Sequence, residues 1–386
     1  MYEVRVVARL SEIARLEWNA LVGADGSPFL EWDWLVSLEE SGCVTRESGW
    51  LPQHLAVRDQ QGRLVAACPL YLKGHSMGEF VFDHEWAAAA QRAGIAYYPK
   101  VLVAVPFTPA TGSRLLTAAG ADRPALLRLL SRALRDICER NDLSSVHVNF
   151  CRADEAAALR EDGFLERAGF QYQWQNAGYA TFDDYLEHFR SKRRNQIRRE
   201  QRELAVQEVT IDVRVGDDIP DEWFPLMFDF YKATIDKLYW GRQYLSPEFF
   251  ELLRRRFKRN LCFVVALEKG VPIAGTFNVQ KAGVFYGRYW GATKELRHLH
   301  FNVCYYAAVA HCIASGLQRF EPGAGGEFKT LRGFDPQPTT SMHYVREPRL
   351  AAAIERFLVA ERREVDRVVG WMQQNSELKP TDVGGE

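Results

Sequence analysis

The chain is 386 residues long, with 47% hydrophobic and 12% aromatic residues and a formal net charge of −1. That composition is globular rather than disordered, and the length suits two domains of ordinary size. A charge so close to zero offers no overall field to DNA or to an anionic membrane, so any basic site has to be local.

In chain order, residues 2–10 alternate like a strand, and Ser11 reads as the cap of a helix reaching Leu21. A second helix is predicted over Phe29–Ser41. His54–Asp59 and Arg63–Leu72 form two strands around the turn Asp59-Gln60-Gln61-Gly62. Residues 75–112, rich in glycine, proline and aromatics, give no assignment. Arg123–Glu139 is an amphipathic helix, followed by a strand at Ser144–Phe150, a helix at Ala153–Ala168 and a strand at Phe170–Gln173. The second half begins with a long helix, Asp183–Leu204, opened by Thr181 with Asp184 three residues on. A strand follows at Thr210–Val215, then helices at Trp223–Leu238 and Pro247–Arg259, the latter stopped at Asn260. Cys262–Glu268 and Pro272–Val279 make a hairpin about Lys269-Gly270. A strand at Val284–Trp290, a helix at Asn302–Ser315, a strand at Leu317–Pro322 and a terminal helix at Pro348–Trp371 complete the pattern, with a loose tail from Asn375.

Residues 55–74 (LAVRDQQGRLVAACPLYLKG) and 264–283 (VVALEKGVPIAGTFNVQKAG) share one pattern of strand, charged turn, glycine and strand. Each is preceded by two helices and followed by strand, helix and strand, a candidate internal duplication with a period near 208 residues. The repeated order gives an α/β protein of mixed sheets flanked by helices. Its domains are 1–176 and 177–374, with a flexible tail at 375–386. One such order resembles the layout of a GNAT acyltransferase. Two in tandem resemble the Fem-type subgroup, whose members attach amino acids to peptidoglycan precursors.

The motifs sharpen that resemblance. G-R-Y-W-G at 287–291, C-Y-Y at 304–306, F-E-P-G-A at 320–324 and R-G-F at 332–334 closely resemble a bacterial family of Fem-like N-acyltransferases, labelled peptidoglycan biosynthesis or recognition. SPFLEWDWL (27–35) and VAVPFTPATGSRLL (103–116) match it too, so the resemblance covers about residues 25 to 360. The family pattern has an acid where this chain has Asn302, and Gln and His where it has Gly325 and Phe328. Losing an acid and an imidazole in one pocket argues against a general base shared with the family, or for a changed acceptor. Phe328-Lys329 followed by Gly333-Phe334 resembles the F-K of the wider Fem-type enzymes, whose lysine assists transfer. The resemblance implies that role for Lys329.

The residues carry a chemistry of their own. Amide formation needs a neutral amine, an activated acyl carbonyl and donors for the oxyanion. In a GNAT sheet the strands at 284–290 and 317–322 splay apart and admit the donor, and glycines at 287, 291, 323, 325 and 326 allow backbone to approach a ligand. Glu327, Lys329 and Arg332 fit the roles of proton acceptor, oxyanion donor and anion holder. On composition alone the same three residues fit a salt-bridged loop. Arg288, Tyr289, Trp290, Asn302, Tyr305, Tyr239, Trp240 and Phe107 are the candidates for the acceptor pocket, the aromatics fitting a core equally well.

Lys294, Arg297, His298 and His300 precede a helix N-terminus and suit a phosphate of coenzyme A or of a tRNA end. No carboxylate or cysteine stands at ligand spacing from these histidines, so no metal is expected. The Q/R-x-x-G-x-G/A loop of coenzyme A sites is missing from TKELRHLH, which points to a different donor. RSKRRNQIRREQR (190–202) places Arg190, Arg194, Arg198 and Arg202 on one helical stripe. That stripe reads either as a solvated face or as a phosphate cradle, with Arg194 and Arg198 as donor-binding candidates. A similar K-x-R-x-N-I-R phrase opens the second domain of Fem-type enzymes.

Seven cysteines without a C-x-x-C pair read as reduced thiols of a cytoplasmic protein. The first residues are charged throughout, unlike a signal peptide, and no run approaches the roughly 18 apolar residues of a membrane span. The resulting expectation is an N-acyltransferase with no permanently bound cofactor. Its co-substrate would be acyl-CoA or aminoacyl-tRNA, and its acceptor a small or peptide-like amine. The alternatives are a transferase dependent on aminoacyl-tRNA, with tRNA as partner, and a non-catalytic binder of peptidoglycan precursor or of a partner protein.

Overall fold

The computed structural model describes residues 2–237 and 241–379, with the backbone alone at Glu327. The chain separates into two compact units. The first takes the residues up to Gly169 together with Tyr244–Arg256 and Pro338–Asp366, and the second takes the other described residues. The sequence placed one boundary at residue 176. The chain instead changes unit inside the strand Leu165–Gln175 and returns twice to the first unit.

In the first unit the hairpin His54–Arg58/Leu64–Cys68 is flanked by Glu3–Val7 and Leu116–Thr117 in an antiparallel sheet. Pro69 lacks the N–H a ladder needs and separates this hairpin from Leu70–Lys73. That strand joins a second sheet, in the order Trp50–Pro52, Leu70–Lys73, Lys100–Val103, Ser145–Val148 and Asp335–Val345. Helix Arg123–Arg140 turns Leu126, Leu130 and Leu134 into a core with Val101, Val103, Val146 and Val148, as its four-residue spacing of leucines dictates. Helix Pro247–Arg256 belongs to this unit, with Phe249 edge-on to Trp34 at 5.2 Å.

The second unit carries six strands in the order Val209–Val215, Leu261–Glu268, Val271–Lys281, Val284–Ala292, Arg319–Glu321 and Leu165–Gln175. Neighbours are antiparallel except Val284–Ala292 and Arg319–Glu321, which run parallel. A parallel pair needs a crossover, supplied by the helical run from Leu299 to Ala314. Helix Trp223–Asp236 lies so close to the sheet that a Cβ on Gly291 would overlap the carbonyl oxygen of Phe230. Gly291 therefore serves packing and not the ligand approach expected of it.

Other departures have local causes. Ser11 sits in the 3-10 turn Leu10–Glu12, and the first helix runs Arg15–Val22. The helix expected to reach Ala168 stops at Glu161, because Asp162-Gly163 turns with a φ of +83° at the glycine. The long helix 183–204 is two helices, Phe182–Glu187 and Ser191–Ala205, broken where Phe189 drops into the core. The capping box read at Thr181 is half made: Thr181 Oγ1 accepts from Asp184 N at 3.0 Å, but the Asp184 carboxylate accepts from Ala180 N and not from Thr181 N. The unassigned stretch 75–112 holds helix His84–Arg92 and strand Lys100–Val103. Residues 375–379 are not loose, since Ser376 Oγ donates to Asp335 at 3.0 Å and Lys379 N to His188 O at 2.8 Å. The rest of the expected tail, 380–386, lies outside the described residues. Among the described residues no helix is long and apolar enough to cross a membrane.

Candidate active site

In the second unit the parallel pair runs for three residues, Val284 opposite Arg319 to Tyr286 opposite Glu321. The two backbones are still close at the next step. A Cβ on Gly287 would stand 3.3 Å from Pro322 Cα, and one on Gly323 3.2 Å from Gly287 O. Beyond it a cavity of about 260 Å³ opens. One wall is strand 284–292 from Gly287 to Trp290, where Arg288 is an extra residue in a bulge opposite Phe277 and Asn278. A second wall is helical. A π-turn at Asn302–Tyr306 interrupts the α-helix, and Cys304 and Tyr305 both line the cavity with His300. The third wall is the glycine-rich segment 322–326 with Phe328 and Lys329.

Lys329 is 3% exposed, and its Nζ donates to Gly323 O at 2.6 Å. Among the described residues no carboxylate pairs with it. Burial alone pulls its pKa down to about 8. The His300 ring is packed by Trp290, Phe301 and Tyr305 at centroid distances of 5.1 to 5.6 Å. Burial, then the cations Arg332 and Lys329, lower its pKa to about 4, so it is neutral at physiological pH. Burial raises the Cys304 thiol well above its ordinary value and pushes the Tyr305 phenol up as well. Cys304 therefore stays a thiol and does not serve as a nucleophile.

A buried ion pair holds these walls together. Glu200, on helix Ser191–Ala205, accepts from Arg332 Nη2 at 3.2 Å, from the Tyr306 hydroxyl and from Gln196 Nε2 at 3.0 Å. The Arg332 guanidinium lies 3.4 Å over the Phe301 ring and donates to Phe328 O at 3.0 Å. One carboxylate thus fastens the turn Glu327–Arg332 to the helix bearing His300. Sequence reasoning missed Glu200. The available signal was an acid on the same buried stripe as Ile197 and Leu204, inside a basic run.

The family model for FemAB-like proteins, described as peptidoglycan biosynthesis/recognition, matches residues 9–380. The chain belongs to the FemAB-like family. Among curated proteins none matches it in sequence. Of solved structures, FemX aligns with a TM-score of 0.56 at 12% identity, over 89% of this chain and 98% of its own. L-PGS from Bacillus licheniformis aligns with a TM-score of 0.50 at 10% identity, over 83% of this chain and 95% of its own. At such identities the likeness is one of fold.

Within this FemAB-like chain the candidates scatter. Arg288, Tyr289, Trp290, Tyr305, Lys329 and His300 line the cavity together. His300 was read as a phosphate ligand, but burial keeps it uncharged and unsuited to that task. Arg332 was read as an anion holder and is instead consumed by Glu200. Asn302 was read as a pocket residue and is instead buried, donating to Glu200 O at 3.2 Å and His298 O at 2.9 Å. Lys294 pairs with Glu268 at 2.6 Å, while Arg297 and His298 pair with Glu203 at 3.2 and 2.9 Å. Arg194 and Arg198 both bind Glu187, at 2.6 and 3.1 Å. Each of these five side chains already holds a carboxylate, so no ready phosphate cradle exists among them. Phe107 lies in the first unit, stacked on Tyr244 at 4.8 Å. Tyr239, Trp240 and the side chain of Glu327 lie outside the described residues.

Proposed function

We propose that this protein is an N-acyltransferase that joins an activated acyl or aminoacyl group to an amine in the cavity beside strand 284–292. One observation carries the reading: a buried lysine without an acid partner among the described residues, fixed by Gly323 O at the point where two parallel strands part. An uncompensated buried cation is costly in a resting protein. It becomes favourable when negative charge develops on a carbonyl oxygen, as in the tetrahedral intermediate of acyl transfer. Membership of a peptidoglycan biosynthesis/recognition family supports a peptide-like amine as acceptor. Tyr289, Trp290, Tyr305 and Phe328 give the cavity aromatic walls against which an acyl or amino-acid side chain can pack.

The donor is an acyl thioester of coenzyme A or an aminoacyl-tRNA. Incubation with labelled acetyl-CoA or with charged tRNA, each with an amine present, separates the two by which label moves to the amine. Activity destroyed by RNase eliminates the thioester. Consumption of neither donor, together with tight binding of a peptidoglycan precursor, replaces the transferase by a recognition protein.

A further inference from the structure

We propose that His300 is the general base of this site, taking the proton that the acceptor amine sheds as the amide forms. The inference rests on the acyl-transfer reading and adds a role that no sequence motif assigned. Three features of the geometry point to it. His300 opens on the same cavity as Lys329. Its ring is clamped by Trp290, Phe301 and Tyr305, so its orientation is set before any ligand arrives. Neither ring nitrogen makes a hydrogen bond to the described residues, whereas the nearby His298 is occupied by Glu203 at 2.9 Å. Burial, and then the cations Arg332 and Lys329, oppose a resting positive charge on the ring, which leaves a lone pair available at neutral pH.

The described lining offers no competing base. It contains no Asp or Glu, the Cys304 thiol and Tyr305 phenol are protonated, and Lys329 is occupied as a donor. In the step, the amine nitrogen bonds to the acyl carbon and the carbonyl π pair moves onto the oxygen facing Lys329. One amine proton passes to a His300 ring nitrogen. On collapse the C=O re-forms, the bond to the leaving sulfur or oxygen breaks, and the imidazolium returns its proton to that leaving atom. No proton or electron is left over.

The test uses the full chain with acetyl-CoA or charged tRNA, and with benzylamine and hydroxylamine as acceptors. His300→Ala should lose about 10²- to 10³-fold in kcat with benzylamine, the usual worth of a general base. The loss with hydroxylamine, a weaker base whose proton leaves unaided, should be much smaller. Added imidazole should restore part of the benzylamine rate. His300→Asn, which keeps a polar side chain in the clamp, should show the same split should His300→Ala fold poorly. In the wild type, kcat should stay flat through the range where an ordinary imidazole titrates. Equal losses with both amines and no imidazole rescue, an undiminished rate, or a wild-type fall near the ordinary imidazole pKa would each overturn the proposal. A wild type that consumes neither donor sinks the acyl-transfer reading itself and this inference with it.

Discussion

Two buried lysines in this chain meet opposite surroundings. Lys100, in the first unit, donates to Glu79 and Ser76 at 2.9 Å each and to Asp83. Burial pushes its pKa down, but the two acids outweigh it and hold the lysine above its ordinary value. Lys329, in the second unit, has a carbonyl for a partner, and burial lowers it to about 8. The histidines divide the same way. His147 and His343 share a 2.7 Å contact between their Nδ1 atoms, and Ser145 Oγ meets His147 Nε2 at 2.8 Å, whereas the His300 ring makes no hydrogen bond to the described residues. A buried charge whose counter-charge is built in belongs to the structure. One that faces a cavity without it is poised for charge that a ligand or a transition state will bring.

The comparison breaks most visibly at Lys100. Lys100→Met strands Glu79 and Asp83 in the interior and should cost about 3–5 kcal/mol in urea denaturation. Lys329→Met should do the reverse. It removes an uncompensated cation, so stability at neutral pH should rise by about 1–3 kcal/mol while transfer falls about 10²–10³-fold. A loss of stability at Lys329 would mean that a hidden counter-charge exists.

The histidines give a pH dependence of definite sign. The folded-state pKa of His300, about 4, and that of His147, about 3, lie below the unfolded value of 6.5. The unfolded chain therefore binds more protons in that interval, and stability falls as pH drops from the unfolded value through the folded ones. His300→Phe should remove about 2–3 kcal/mol of that slope, measured by denaturation at successive pH values. Arg198→Ala, on an exposed pair with Glu187, should change stability by less than about 1 kcal/mol. It should leave transfer from acetyl-CoA unchanged. A drop confined to charged tRNA would restore the phosphate-cradle reading of that helix.

Local signals made much of this legible. The hairpin at Lys269-Gly270, the glycine-bounded segment at 323–326 and the aromatic strand at 286–290 all stand in the sequence as patterns of a few residues. The strand Asp335–Val345 does not, because Pro336 and Pro338 disguise its alternation. Contacts between distant segments were equally invisible: Glu200 meeting Arg332 across 132 residues, or Pro247–Arg256 joining the first unit. The neutrality of His300 follows from burial among Trp290, Phe301 and Tyr305, which its neighbours in sequence only half disclose. Motif reading placed Lys329 and Arg332 in one pocket, as oxyanion donor and anion holder. Packing separates them into a cavity cation and a structural clamp.

The most direct measurement is a crystal structure with a stable donor analogue, either a thioether analogue of acyl-CoA or an amide-linked aminoacyl-adenosine. Density is expected in the 260 Å³ cavity, with the carbonyl oxygen within hydrogen-bonding reach of Lys329 Nζ. An analogue bound elsewhere, with Lys329 still donating only to Gly323, would contradict it.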